Sequence, residues 1–266
     1  GDRVCRVAGA GVPLCGRSAQ SGSLISSALG VGLSLTIVTY LTIGISGGHL
    51  NPAVTCGVAI TGKAGRDFGP MEAMLYMLAQ FAGAIAGACL MRAATPLQVG
   101  CEVSEDSPDC QGLKMLTFLV RGSISTEHGV AVFAFELLCT FAMTWTFFAT
   151  VVDPRSVARG LAPLAVGLSA VAAVIAEGPF TGAGLNPARI IAPAVAFGNH
   201  SHCVAPVAGA FAGGALAGLV YCYMFIFSEQ VPDVYMITSA PGEHEAEALF
   251  EGSIRHVVQT EGADRS

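Results

Sequence analysis

Two asparagines, one arginine and one glutamate are the residues of this chain whose types and positions could do chemistry in apolar surroundings. Asn51 stands in Ser46-Gly47-Gly48-His49-Leu50-Asn51-Pro52-Ala53, and Asn186 in the near copy Thr181-Gly182-Ala183-Gly184-Leu185-Asn186-Pro187-Ala188. Proline suits the first turn of a helix because its missing N–H would be unsatisfied there anyway, so Pro52 and Pro187 read as first helical positions and the asparagines as caps. Arg189 follows the second copy directly, and Glu136 lies among apolar neighbours. The chemistry on offer is hydrogen-bond donation and fixed charge rather than bond-making. No nucleophile–base constellation, phosphate loop or metal-spaced Cys/His cluster appears, which argues against an enzyme, a metal or a cofactor.

Each motif must be carried by an unusual element. From Asn51 to about Ile60, before Thr61-Gly62-Lys63, there is room for roughly ten helical residues, about 15 Å, half of a hydrocarbon core of roughly 30 Å. The run from Asn186 to about Phe197 is similar. Non-helical backbone at membrane depth is tolerated only where protein buries it or where it lines a watery cavity. Two half-helices meeting end to end therefore imply a polar path at mid-membrane, with partial positive charge and amide donors at the junction.

The rest of the 266 residues supplies a membrane frame. The chain is 53% hydrophobic and 12% charged, with 33 Gly and a mean hydropathy of +0.62, which places it among integral membrane proteins. Spans are predicted over 23–45, 71–91, 128–152, 161–176 and 204–227. Gly83 and Gly87, in small-xxx-small spacing, predict close helix packing. Residues 1–22 carry Arg3, Arg6 and Arg17 and offer no spanning run; 92–127 form an acidic loop; 228–266 form a polar, Glu-rich tail. Lys63, Arg66, Arg155 and Arg159 assign the loops at 61–70 and 153–160, and by alternation the tail, to the cytoplasm. The net charge of −6 gives no basis for a nucleic-acid partner. Of nine Cys, Cys101 and Cys110 are the plausible disulfide pair.

Residues 23–227 divide into two copies, 23–91 and 128–227, joined by the 92–127 loop. Asn51 and Asn186 are 135 positions apart, and Gly32-Leu33-Ser34 matches Gly167-Leu168-Ser169 at that offset. An odd number of crossings separates the copies, so they are inverted. The expected architecture is an all-α membrane protein of six spans and two re-entrant half-helices, with five full spans visible. The counterpart of the 128–152 span would fall before residue 23, where no apolar run of that length occurs.

Two Asn-Pro-Ala motifs in an inverted repeat, the second continuing into Arg189, resemble the aquaporin (major intrinsic protein) family over about residues 23–227. The resemblance implies a homotetramer of pores in a lipid bilayer, passing water or small uncharged solutes and rejecting protons. It implies that Asn51 and Asn186 donate to the passing molecule, and that Arg189 stands at a selectivity constriction with Val31, Val174 and Ala183. A typical water channel resembles Phe and His where Val31 and Val174 stand, so a wider ring open to glycerol, urea or hydrogen peroxide is expected. Ile190, where glycerol channels resemble Asp, and Pro206-Val207, in place of an aromatic pair, point in different directions. Glu136 is expected to brace the loop beside the second half-helix, in preference to a proton relay, because no second carboxylate shares its span. His49 is expected to order its loop, and Glu72 and Glu177 to lie at the interface. Two other functions fit less well: a non-conducting subunit lacking a span, and a coupled transporter, against which the lack of paired intramembrane carboxylates counts.

Overall fold

The computed structural model describes residues 6–8, 12–14, 20–62, 68–94, 128–197 and 203–226. Cys101, Cys110, the acidic loop, the polar tail and the basic residues Lys63 and Arg66 lie outside them. A short antiparallel hairpin, β1 (Arg6–Ala8) with β2 (Val12–Leu14), precedes the helices. Every other described element is helical: α1 (Gln20–Ser46), α2 (Pro52–Thr61), α3 (Pro70–Ala94), α4 (Gly129–Phe147), α5 (Ala162–Thr181), α6 (Pro187–Phe197) and α7 (Val204–Phe225). A π-helical turn, Phe148–Val152, extends α4 to the full length of a span. Five of these helices are long and apolar enough to cross a membrane, and α2 and α6 are the two short ones.

The helices meet through glycine. A Cβ on Gly209 would lie 2.5 Å from the Phe133 carbonyl oxygen, and one on Gly213 would strike that of Leu137, so α7 lies directly on the α4 backbone. Gly214 and Gly218 bring the other face of α7 equally close to Ala53 and Gly57 of α2. Gly32 and Gly167 do the same for α1 and α5. With no apolar solvent advantage between helices in lipid, such close approach and its dispersion contacts hold the bundle.

The first copy is packed differently from the second. Gly83 and Gly87 on α3 meet nothing within 4 Å, and Ala73 is the buried residue of that helix. The close packing expected from their spacing is therefore not made within the described chain. Phe81-Ala82-Gly83 matches Phe211-Ala212-Gly213 of the second copy, and there Gly213 is covered by α4; α3 has no such neighbour among the described residues.

The predicted span 161–176 ends too early. α5 runs on through Pro179 to Thr181 and closes on Gly182, whose φ of 91° suits glycine. That extra turn carries Glu177 into the protein. It is fully buried rather than interfacial, whereas Glu72 is exposed and accepts a hydrogen bond from the Gly69 N–H at 2.9 Å.

Candidate functional site: the junction of two half-helices

Each Asn-Pro starts its half-helix as a cap. Asn51 has extended backbone, φ −147°, and its Oδ1 accepts from the Ala53 N–H at 2.8 Å. Asn186 Oδ1 accepts from the N–H groups of Ala188 at 2.9 Å and Arg189 at 3.4 Å. The Nδ2 groups point the other way. Asn51 donates to the Leu185 carbonyl at 2.8 Å, and Asn186 donates to the Leu50 carbonyl at 3.0 Å.

This exchange depends on unusual backbone. Leu50 and Leu185, each just before an Asn, have φ of 52° and 57°, a left-handed conformation that costs a side-chain-bearing residue roughly 1–2 kcal/mol. It turns each leucine carbonyl toward the opposite half-helix, where the amide receives it. The two turns are thus locked to one another, and the N-termini of α2 and α6 face across a shared junction.

The two loops are braced by different means. Behind the second, Glu136 of α4 is fully buried and accepts three hydrogen bonds, from Thr181 Oγ1 at 2.9 Å and from the N–H groups of Gly184 and Leu185 at 2.8 Å each. Behind the first loop stands His49, whose ring packs against Phe68, Tyr76 and Phe147 with centroids 5.3–5.5 Å apart. Its Nδ1 pairs with Thr55 Oγ1 at 3.2 Å, and Thr55 in turn accepts from Gln80 Nε2 at 2.9 Å. His49 orders its loop from within an aromatic cage.

Of the four constriction candidates, Arg189 and Ala183 are in direct contact. Val174 and Ala183 belong to one buried apolar cluster, with Val31 packed against it. The Arg189 side chain donates to the carbonyls of Ala183 and, at 3.0 Å, Gly184. Ala183 too is left-handed, φ 54°, which aims its carbonyl at the guanidinium. Ile190 is buried behind the loop.

Two further groups belong here: Glu177, expected at the interface but fully buried, and Asp153, which no local pattern marks. Glu177 lies four residues before Thr181, on the same side of α5, so it sits one helical turn from the Glu136 brace. Neither of its oxygens meets an N–H or O–H donor among the described residues; its polar neighbour is the Cys139 thiol. The second group is Asp153, at the end of α4. It accepts from the Arg155 N–H, Nε and Nη2 at 2.8–3.0 Å and from Tyr221 Oη at 2.9 Å. Arg155 also donates to the Phe225 carbonyl at 2.6 Å, tying the turn to the end of α7. The Arg155 side chain is the main cause holding the Asp153 carboxyl down to about 2.

Comparison with known proteins agrees with this geometry. The major intrinsic protein family profile matches residues 4–221. "Probable aquaporin TIP3-2" of Arabidopsis thaliana is 36% identical over 212 residues, 79% of this chain and 71% of that protein. "Aquaporin TIP2-1" of the same plant is 36% identical over 79% of this chain and 76% of its own length. In fold, the chain resembles the aquaglyceroporin from Plasmodium falciparum, with a TM-score of 0.59 at 24% identity over 75% of this chain and 82% of that one. Paired Asn-capped half-helices set among apolar spans, together with these matches, show that the chain belongs to the major intrinsic protein family, the aquaporins, as a multi-pass membrane channel for water and small solutes.

Proposed function

We propose that this chain is a passive pore that excludes protons at its two Asn-Pro-Ala turns and admits small uncharged solutes beside water. The observation that carries the reading is the reciprocal tie between Asn51 and Asn186 at facing helix N-termini. An Asn amide has two N–H donors; each uses one across the junction and keeps one for a passing oxygen. A water accepting from both asparagines turns its hydrogens outward along the pore, which interrupts a proton-conducting file. The positive ends of both half-helices, and the Arg189 guanidinium at the constriction, oppose cations.

Val31, Val174 and Ala183 supply only aliphatic surface to a constriction whose polar member is Arg189. Such a ring favours glycerol, urea and hydrogen peroxide alongside water. We place α2 and the 153–160 turn on the cytoplasmic side by their basic flanks, and take the working form in the bilayer to be a homotetramer. The test is solute flux into proteoliposomes for the wild type and Arg189→Ala. Removal of the guanidinium should raise urea and glycerol permeability relative to water, and unchanged ratios would refute the constriction. A second reading, a subunit that conducts only when another helix covers α3, is favoured by the open face at Gly83 and Gly87.

A further inference from the structure

The buried carboxyl of Glu177 has no part in the loop brace, yet its charged neighbours are Glu136, which makes that brace, and Arg189. Glu136 already satisfies Thr181, Gly184 and Leu185, so no donor of that loop remains for Glu177. α4 and α5 lie side by side. Along α5, Glu177 is flanked one turn away on each side by Val174 and Thr181, both buried; on α4, Cys139 lies one turn beyond Glu136. The Cys139 thiol neighbours the Glu177 carboxyl, and Thr140 on the same turn of α4 carries a buried hydroxyl without a partner among the described residues. Arg189 Nε is likewise buried and without a partner there.

Other charged groups are distant. Among the described residues α1, which packs along α5, offers no Asp, Glu, Lys or Arg to this region. Arg159, at the opposite end of α5, is roughly 27 Å away along the helix axis. The titratable and charged groups facing Glu177 are therefore Cys139 and Glu136 from α4 and Arg189 from α6.

We propose that Glu177 is a proton-binding residue of the channel wall that sets the charge selectivity of the constriction. With its proton, Arg189 is balanced by Glu136 alone, and small cations are rejected. When the proton leaves to the pore water, a second carboxylate stands in a medium of low dielectric, where charges act on one another far more strongly than in water. The barrier raised by Arg189 then falls for a small monovalent cation. This assignment rests on the pore reading above.

The experiment measures rubidium uptake and water flux by the full chain in proteoliposomes, at equal internal and external pH, over a series from acid to alkaline. In the wild type, rubidium flux relative to water should rise roughly tenfold across the series, one decade for each 1.4 kcal/mol taken off the barrier. Glu177→Gln and Glu177→Ala should each abolish the rise, while Cys139→Ala keeps it. A flat wild-type profile, or the same rise in both Glu177 variants, overturns the proposal. Infrared difference spectra of the same samples read the proton without requiring flux. A carboxylic-acid band that titrates in the wild type and in Glu136→Gln, and is missing from Glu177→Gln, is the expected result; its absence from the wild type overturns the assignment whether or not water flows. Lack of water flux with the band present would count against the pore reading alone.

Discussion

Asn51 and Asn186, 135 positions apart in the chain, each donate a side-chain hydrogen bond to the carbonyl of the leucine preceding the other. Asn51→Ala removes a helix cap, about 0.5–2 kcal/mol, and leaves the Leu185 carbonyl without its buried donor, a further roughly 1–3 kcal/mol. Thermal unfolding in detergent should show a loss of several kcal/mol, with Asn51→Asp less severe because it still caps α2. A loss no larger than that of an ordinary surface substitution would mean that the junction is not held this way.

Glu136→Ala strips three donors of one acceptor, two of them backbone N–H groups beside left-handed residues. Amide exchange at Gly184 and Leu185 should accelerate by orders of magnitude, while that in α2 changes little. Glu136→Gln retains one acceptor oxygen and should fall between. Uniform acceleration through both half-helices would indicate global unfolding rather than release of a brace.

Glycine substitutions separate the two copies. Gly213→Ala drives a methyl into the Leu137 carbonyl and should sharply reduce folded yield, whereas Gly83→Ala meets nothing within 4 Å. In a helix interior that second change is stabilising by roughly 0.5–1 kcal/mol. The readout is the monodisperse fraction in size-exclusion chromatography. A Gly83→Ala defect as severe as that of Gly213→Ala would show that another helix seats on α3 in the assembled channel.

Asp153 gives a pH signature at the membrane edge. Its carboxyl is held down to about 2, chiefly by Arg155, against about 3.9 for an unfolded Asp. A depressed folded value means that its stabilisation is complete above about 4 and is lost as pH falls through about 2. Asp153→Asn should remove that part of the acid-unfolding curve and leave the neutral region lower but flatter. An unchanged curve between about pH 4 and pH 2 would contradict the network.

Much of the site is legible in the sequence because its signals are local. Asn-Pro fixes a cap and a first turn, and the distance to Gly62 fixes a half-length helix. Glu136 stands out because a lone carboxylate in an apolar run needs donors. Glu177 reads as interfacial because Glu-Gly-Pro looks like a helix end, yet tertiary packing carries α5 through Pro179. Gly83 and Gly87 show the converse, since a spacing records the capacity to pack closely and not the presence of a partner. The His49 cage and the Asp153–Tyr221 bond join residues from different spans, and no local pattern announces them. The left-handed leucines are equally silent, because leucine is an unlikely choice for that backbone in isolation.

Facing half-helices tied by Asn51 and Asn186 should form a water path. Stopped-flow light scattering on proteoliposomes of the 266-residue chain tests it most directly, against Asn51→Asp/Asn186→Asp, which keeps both caps and loses both amide donors. The account predicts water permeability well above that of the double variant and of empty vesicles. Equal permeability of all three, with folded protein confirmed in the membrane, would contradict it.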